Sequence, residues 1–182
     1  NVYDLSLSAG GSSGGAGAAV AAQLVPFADG TDQMGSCRSP AAYSNIYGFR
    51  PTPGLIASVR SVSQKNLPIL TTPGFLSRTP DDMAIILDAA TGNNKLDPHS
   101  FNLKYSFADT EINDFEFKNI KIGWLSDMNG NYKFENEILQ ICEKKLSKLN
   151  NLNLKVEYLK PNIDTDELWE LWTTLRSKSI YK

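Results

Sequence analysis

Two turns rich in glycine and serine contain the residues of this chain that could carry out chemistry. The first spans residues 10 to 15 and reads GGSSGG, and the second spans residues 30 to 38 and reads GTDQMGSCR. Turns of this kind can present a serine hydroxyl beside several backbone N–H groups. Hydrolysis of a carbonyl compound needs both, because the hydroxyl attacks the carbon while the N–H groups stabilise the oxyanion that forms.

Ser36 is the serine of the second turn. If the successive N–H groups around it point the same way, they form a cradle for a carbonyl oxygen that becomes negative. Taken alone, a GxSxR turn more often caps a helix, here the one expected at Ala41. The first turn favours a catalytic role for Ser36 over helix capping, since Ser12 lies 24 residues before Ser36 and stands between two pairs of glycines.

The two turns resemble the motifs of the amidase signature family. In that family a GGSSGG turn, a helix of small residues and a GTDxGGSxR turn follow one another with the same spacing. The segment PAAYSNIYGFRPT at 40 to 52 is similar to the family's PAAFCGVVGLKPT. Residues 71 to 92 and the region from 120 to 159 are similar to the segments that follow, so the resemblance covers essentially all 182 residues.

The resemblance implies a Ser–cis-Ser–Lys triad. Ser36 corresponds to the nucleophile that becomes acylated, and Ser12 to the bridging serine, whose preceding bond Gly11–Ser12 is cis in the family. In the family a neutral, buried lysine accepts the proton through the bridging serine and returns it to the leaving amine. The oxyanion hole corresponds to four N–H groups, those of Gln33, Met34, Gly35 and Ser36.

Three further residues are expected to support this site. Asp32 and Arg38 are expected to hold the loop through hydrogen bonds, with a plain surface ion pair as the alternative. Ser13 is expected either to assist the relay or to cap the helix that follows it.

The chain departs from the family pattern at two points. Met34 stands where the family commonly has glycine, which narrows the allowed backbone angles. The family's lysine lies several tens of residues upstream of GGSSGG, whereas nine residues precede Gly10 here and none is lysine. We therefore expect a fragment that lacks the N-terminal part with the catalytic lysine, that is inactive or nearly so alone, and that self-associates through exposed apolar surface.

Composition excludes several classes of function. Apolar residues make up 41% of the chain, which is enough for a core. The net charge of −2 does not indicate nucleic-acid binding. No apolar run reaches the length of a membrane span. Two cysteines are too few for a disulfide framework or a zinc site, which favours a reducing, cytoplasmic setting. No metal or organic cofactor is expected.

The pattern of elements predicts an α/β fold, as part of an amidase-signature mixed sheet layered between helices. Residues 1–182 are expected to form a single partial amidase domain, with a signature core at 1–92 and a loop followed by a βαβα continuation at 93–182. In the core, the small residues from Gly14 to Leu24 predict a helix buried on every face and ended by Pro26. Residues 24 to 28 are expected to be a buried extended segment, and residues 30 to 40 a turn leading into a short helix.

Clearer signals mark the later elements. Thr79 is an expected N-cap and Pro80 the first residue of a helix that Gly92 ends. A surface loop is expected at 93–118. A buried strand at 120–125 and a strand of alternating pattern at 154–159 should flank an amphipathic helix at 134–149 in a right-handed parallel crossover. Asp164 or Thr165 should begin a last helix. The tryptophans at 124, 169 and 172 are expected in the core or covering it.

Three functions remain open from the sequence. The first is an amidase that cleaves a small-molecule amide through a serine acyl-enzyme. The second is the A subunit of a glutamine-dependent amidotransferase, and the third is a non-catalytic fragment or pseudoenzyme. His99 is not favoured as a catalytic base, and Cys37 is expected to be a small packed side chain rather than a nucleophile.

Overall fold

The computed structural model of the chain describes residues 1–58, 70–110, 120–128, 130–152 and 154–180. They belong to two compact units, Asn1–Thr110 and Glu111–Lys182. The expected single partial domain with an internal boundary near residue 92 stays a prediction.

A three-stranded antiparallel sheet organises the first unit. Its strands are β1 (Phe27–Asp32), β2 (Tyr47–Phe49) and β3 (Thr72–Ser77), in the order β1-β3-β2. The register pairs Phe27 with Ser77 and Asp32 with Thr72. The second serine turn therefore leaves the sheet where β3 begins.

Three helices pack against this sheet: α1 (Gly14–Ala21), α2 (Arg38–Tyr43) and α3 (Pro80–Ala90). One buried cluster consists of Val20, Cys37, Ala41 and Leu76. The small residues of α1 allow close packing, since a Cβ added at Gly17 would lie 3.1 Å from the Pro40 Cβ. A second cluster comprises Ile56, Met83 and Leu87.

The predictions around α1 and β1 were partly wrong. The helix ends at Ala21 rather than Leu24, because Gln23 adopts a left-handed φ of 61° before Pro26 is reached. Two residues of α1, Gly17 and Val20, are buried, so the helix is not covered on every face. The segment expected to be buried is open, with Leu24 76% exposed. The strand also runs further than expected, to the buried Asp32, and exposed residues alternate with half-buried ones before it.

Helix α3 confirms its predicted start and end. The Thr79 hydroxyl accepts a hydrogen bond from the Asp82 N–H at 3.1 Å, and Pro80 occupies the first turn. The predicted apolar face is buried at Met83, Ile86 and Leu87. Residues 93–110, the described part of the predicted loop, form turns with an isolated bridge between residues 94 and 97, and residues 111–118 lie outside the described residues.

The second unit contains a parallel pair of strands, β4 (Lys121–Trp124) and β5 (Lys155–Tyr158). Helix α4 (Asn136–Leu146) and a 3-10 helix (Ser147–Leu152) connect them, and α5 (Thr165–Ile180) follows. The predicted parallel pairing is confirmed, whereas the handedness of the crossover stays a prediction. Asp164 caps α5 as expected, because its carboxylate accepts from the N–H groups of residues 166 and 167.

Burial in the second unit is lower than predicted. Strand β4 alternates between exposed and half-buried residues. Helix α4 is shorter than expected and has no buried residue among those described, and Ile141 is 59% exposed. Trp169 is also 59% exposed, so of its two predicted places, in the core or covering it, the core is excluded. A two-stranded sheet offers too little apolar surface to cover two helices. None of the helices described is both long and apolar enough to cross a membrane.

Replacing Thr79 with alanine should lower the free energy of unfolding by about 1 kcal/mol, because the Asp82 N–H loses its acceptor at the start of α3. Urea unfolding followed by circular dichroism measures the change. Thr79→Ser keeps the hydroxyl and should stay close to the wild type. Equal stability of the alanine and serine variants would show that the cap contributes nothing.

Candidate active site

The fold brings the two serine turns into contact. The Ser13 N–H donates to the Ser36 carbonyl oxygen at 3.2 Å. The first turn also packs on the start of α2, since a Cβ added at Gly10 would lie 2.8 Å from the Pro40 Cα. Gly10 has a φ of +75°, so this position favours glycine for its backbone angle as well as for space. The 24-residue spacing thus corresponds to direct contact between the turns.

The predicted nucleophile and bridging serine lie at this contact. The peptide bond Gly11–Ser12 is cis, the isomer that the resemblance predicts. Ser12 is exposed and Ser36 is half-buried. No hydrogen bond joins their hydroxyls among the described residues, so the relay contact between them stays a prediction.

Asp32 holds the second turn from inside. Its side chain is fully buried at the end of β1. Its carboxylate accepts from the Gly35 N–H at 2.8 Å, the Cys37 N–H at 3.3 Å and the Arg38 N–H at 3.4 Å. The Arg38 guanidinium adds two hydrogen bonds, at 2.9 and 3.0 Å. The turn is therefore wound around one buried carboxylate rather than held by a surface ion pair.

Two opposing effects set the ionisation of Asp32. Burial alone would raise its pKa, but the hydrogen bonds from Arg38 and from the N–H groups of Gly35 and Cys37 outweigh burial, and the pKa lies well below its ordinary value of 3.8. The carboxylate is therefore ionised at neutral pH.

The four predicted oxyanion donors differ in their engagement. The Gly35 N–H donates to Asp32 and so is occupied in this structure. The other three, on Gln33, Met34 and Ser36, make no hydrogen bond with the described residues. Backbone N–H groups without a partner are the kind of donor that can stabilise an oxyanion, and the oxyanion hole itself stays a prediction.

Met34 is compatible with this turn despite replacing a glycine of the family pattern. The non-glycine residues with positive φ in the described chain are Gln23, Asn45, Ser126 and Met128, so Met34 needs no left-handed angle. Gly35 does need one, with a φ of +103°. The Met34 side chain is 45% exposed.

Ser13 does not cap α1, because no side-chain cap hydrogen bond forms there. Its hydroxyl instead lies against β1, where a Cβ added at Gly30 would come within 2.7 Å of it and within 3.0 Å of the Cys37 Sγ. Cys37 is fully buried in the core cluster, as predicted. Burial, and after it the charge of Asp32, raises the pKa of the Cys37 thiol to about 11, which leaves it protonated at neutral pH.

Arg50 also belongs to the site, although the family-like segment that contains it, PAAYSNIYGFRPT, predicts no role for it. Its Nη1 donates to the Asp32 carbonyl oxygen at 3.0 Å, to the Asp32 carboxylate at 3.3 Å and to the Gln33 carbonyl oxygen at 3.3 Å. Its Nη2 donates to the Leu70 carbonyl oxygen at 3.2 Å. Arg50 and Asp32 are 18 residues apart, so only the fold reveals the contact.

The other candidate bases are not engaged with the serines. Within the described residues, no lysine donates a hydrogen bond to Ser12 or Ser36. His99 is exposed in its loop, and its backbone N–H donates to the Asp97 carboxylate at 3.0 Å.

A model of the Amidase family matches residues 1–176, which include both serine turns and all the contacts described above. The chain belongs to the amidase family. In that family the two turns carry the amidase signature motifs that the sequence resembles.

Curated amidase relatives match the chain over part of their length. It is 36% identical over 147 residues to the A subunit of the glutamyl-tRNA(Gln) amidotransferase of Saccharolobus solfataricus, which covers 81% of this chain and 28% of that protein. It is 39% identical over 130 residues to the protein of the same name from Staphylococcus saprophyticus, covering 71% and 26%. The chain thus spans about a quarter of the length of these relatives.

Solved structures of amidases share the fold. A bacterial aryl acylamidase of the amidase signature family gives a TM-score of 0.82 at 29% identity, over 94% of this chain and 35% of that one. The A subunit of the glutamyl-tRNA(Gln) amidotransferase of Thermotoga maritima gives 0.75 at 26% identity, over 99% and 44%. A fatty acid amide hydrolase gives 0.79 at 26% identity, over 97% and 31%. The α/β fold expected from the sequence is therefore confirmed.

The ionisation of Asp32 should make the free energy of unfolding of this amidase chain depend on pH. A carboxylate whose pKa is lowered by folding stabilises the folded state above its ordinary pKa of 3.8. That contribution is lost as the pH falls below this value towards the folded-state pKa. Asp32→Asn should lower the free energy of unfolding at neutral pH by on the order of 3 kcal/mol, because two guanidinium groups then face a neutral amide.

Urea unfolding at a series of pH values measures both effects. The difference between wild type and Asp32→Asn should shrink as the pH falls from about 4 to about 2. Asp29→Asn removes a charge from an exposed position of the same strand and serves as the control. A difference that stays constant over this range would contradict the role given to the Asp32 charge.

Proposed function

We propose that this chain supplies the nucleophile, the bridging serine and the oxyanion donors of an amidase that works through a serine acyl-enzyme. The observation that carries the proposal is the contact between the two serine turns, where the Ser13 N–H donates to the Ser36 carbonyl oxygen at 3.2 Å. The unengaged N–H groups of the second turn support it. The proposed substrate is a small-molecule amide.

In the proposed reaction the Ser36 Oγ attacks the amide carbon and forms a C–O bond. The carbonyl oxygen becomes negative and accepts hydrogen bonds from the free N–H groups of Gln33, Met34 and Ser36. The Ser36 proton passes through the Ser12 hydroxyl to a base and then to the leaving amine as the C–N bond breaks. Water hydrolyses the acyl-enzyme by the same steps in reverse, which releases the acid and restores both serines.

The proposal requires a base, and the resemblance assigns this role to a lysine. Because no described lysine bonds to either serine, the relay as proposed depends on a lysine from elsewhere in the protein. Without that base we expect little or no activity, although oxyanion stabilisation alone can leave a residual rate. Both cysteines are free in the described structure, which fits the proposed cytoplasmic location.

A second candidate is the A subunit of a glutamine-dependent amidotransferase. The names of the curated relatives favour it, since both of those described above are A subunits of glutamyl-tRNA(Gln) amidotransferases. In that case the same serine chemistry would release ammonia from glutamine for use at another active site. A non-catalytic fragment or pseudoenzyme is the remaining alternative, and it predicts no reaction at Ser36.

Ser36→Ala in the full-length protein should abolish amide turnover and labelling by a fluorophosphonate probe, because the proposed covalent bond forms at the Ser36 Oγ. Ser12→Ala should reduce the labelling rate less, since water can partly replace a relay group but not a nucleophile. Labelling is measured by intact-protein mass spectrometry.

Ser44→Ala is the matched control for this experiment. Ser44 is a buried serine at the end of α2 whose hydroxyl has no hydrogen-bond partner among the described residues. It should label like the wild type. Undiminished labelling of Ser36→Ala would refute the nucleophile assignment, and a wild type that is not labelled would favour the non-catalytic alternative.

Glutaminase activity separates the two catalytic candidates. An amidotransferase subunit should release ammonia from glutamine and should elute from gel filtration with a stable partner when purified from its own cells. A stand-alone amidase should elute without a partner and should prefer other amides to glutamine. Ammonia release measured with the Ser36→Ala variant is the blank. Glutamine turnover that survives this substitution would contradict both catalytic candidates.

A further inference from the structure

We propose that Arg50 is a positioning residue for the oxyanion hole. Its guanidinium holds the carbonyl oxygens of Asp32 and Gln33, and through them it aims the N–H groups of Gln33 and Met34 at the reacting carbonyl. The inference rests on the proposed function of the second serine turn.

The first step of the argument is the geometry of the peptide bond. The C=O and N–H of a planar trans peptide point in opposite directions. The Asp32 carbonyl shares its peptide unit with the Gln33 N–H, and the Gln33 carbonyl shares its unit with the Met34 N–H. Both units are trans, since the cis bond found in the described chain is Gly11–Ser12. A group that fixes these two carbonyls therefore fixes the direction of two donors.

Arg50 is that group. One nitrogen, Nη1, donates to the Asp32 carbonyl oxygen at 3.0 Å and to the Gln33 carbonyl oxygen at 3.3 Å. The two carbonyls must therefore converge on one side of the chain, and the N–H groups of Gln33 and Met34 point to the opposite side. These are two of the three donors in the turn that no described residue occupies.

The third free donor is fixed in the same way by a different group. The Ser36 N–H shares its peptide unit with the Gly35 carbonyl, which accepts from the Ser39 N–H at 2.6 Å at the start of α2. Each unengaged N–H of the turn thus belongs to a peptide whose carbonyl is anchored. Arg50 anchors two of the three, and the backbone of α2 anchors the other.

Arg50 is itself held in place. Its Nη2 donates to the Leu70 carbonyl oxygen at 3.2 Å, two residues before β3 begins. Its side chain is 26% exposed, compared with 55% for Arg38. The described contacts of the Arg38 guanidinium are to the Asp32 carboxylate alone. The two arginines therefore share one carboxylate, but Arg50 is the one that holds backbone carbonyls.

The simpler explanation is that Arg50 only neutralises Asp32. Arg38 distinguishes the two roles, because its guanidinium pairs with the same carboxylate but holds no backbone carbonyl among the described residues. If charge is all that matters, Arg38→Met should impair the reaction at least as much as Arg50→Met, since Arg38 makes the shorter ion pair with Asp32. If the carbonyls must be held, Arg50→Met should impair the reaction more than Arg38→Met does.

The test is the rate constant for fluorophosphonate labelling of the full-length enzyme, because the phosphoryl oxygen that becomes negative during labelling needs the oxyanion donors. Removal of one such donor costs about 100- to 1000-fold in rate. For donors that are present but misaimed, we expect labelling of Arg50→Met to slow by about 10- to 100-fold, and that of Arg38→Met by a smaller factor. The final extent of labelling counts the folded sites, so partial unfolding changes the end point and not the rate constant.

Arg78→Met is the matched control. Arg78 also holds two backbone carbonyls, those of Val20 at 3.1 Å and Val25 at 2.8 Å, but they lie at the far end of α1 and before β1. Its labelling rate constant should stay within about threefold of the wild type, far from the loss expected for misaimed donors. Wild-type rates in Arg50→Met, an equal or greater loss in Arg38→Met, or an equal loss in Arg78→Met would overturn the inference while the nucleophile stands. Labelling that is absent in the wild type or independent of Ser36 would overturn the proposed function itself.

Discussion

The buried carboxylate of Asp32 is the interaction on which the second serine turn depends. A buried charge is costly unless it is paired and hydrogen-bonded, and this one lies fully buried at the end of a strand. The chain meets that requirement by winding around it, so that the N–H groups of Gly35, Cys37 and Arg38 and two guanidinium groups converge on its oxygens. The same winding decides which N–H groups of the turn stay unengaged, because a donor that satisfies Asp32, such as the Gly35 N–H, is no longer available to another acceptor.

Close approach of backbones is the second constraint, and it explains the glycines of the motifs better than flexibility does. A Cβ at Gly10 would meet Pro40, and a Cβ at Gly30 would meet the side chains of Ser13 and Cys37. The first turn, strand β1 and helix α2 can therefore lie in contact only if these positions carry no side chain. These glycines allow the two serine turns to lie in contact, and this role is separate from any hydrogen bond that their N–H groups donate.

The sequence predicts well what is encoded within a few residues. Helix α3 begins at Thr79 and Pro80 because a cap and a fixed φ act locally, and the parallel strands β4 and β5 follow from two apolar runs around a helix. Burial was predicted less well, since it depends on what covers a face rather than on the face itself. Arg50 was missed because its contacts lie 17 to 20 residues away in sequence, and no spacing rule links them.

The departure at Met34 shows which positions of the turn tolerate a side chain. The family pattern has two glycines before the nucleophile, and in this chain only the second is retained. Gly35 has a φ of +103°, and a Cβ there would lie 2.9 Å from the Ser39 Oγ, so that position is restricted by both angle and space. Position 34 is free of a positive φ, and its contribution to the turn is a peptide N–H that any residue except proline can supply. A side chain is therefore tolerated at Met34, where it adds apolar surface two residues from Ser36 without removing a donor.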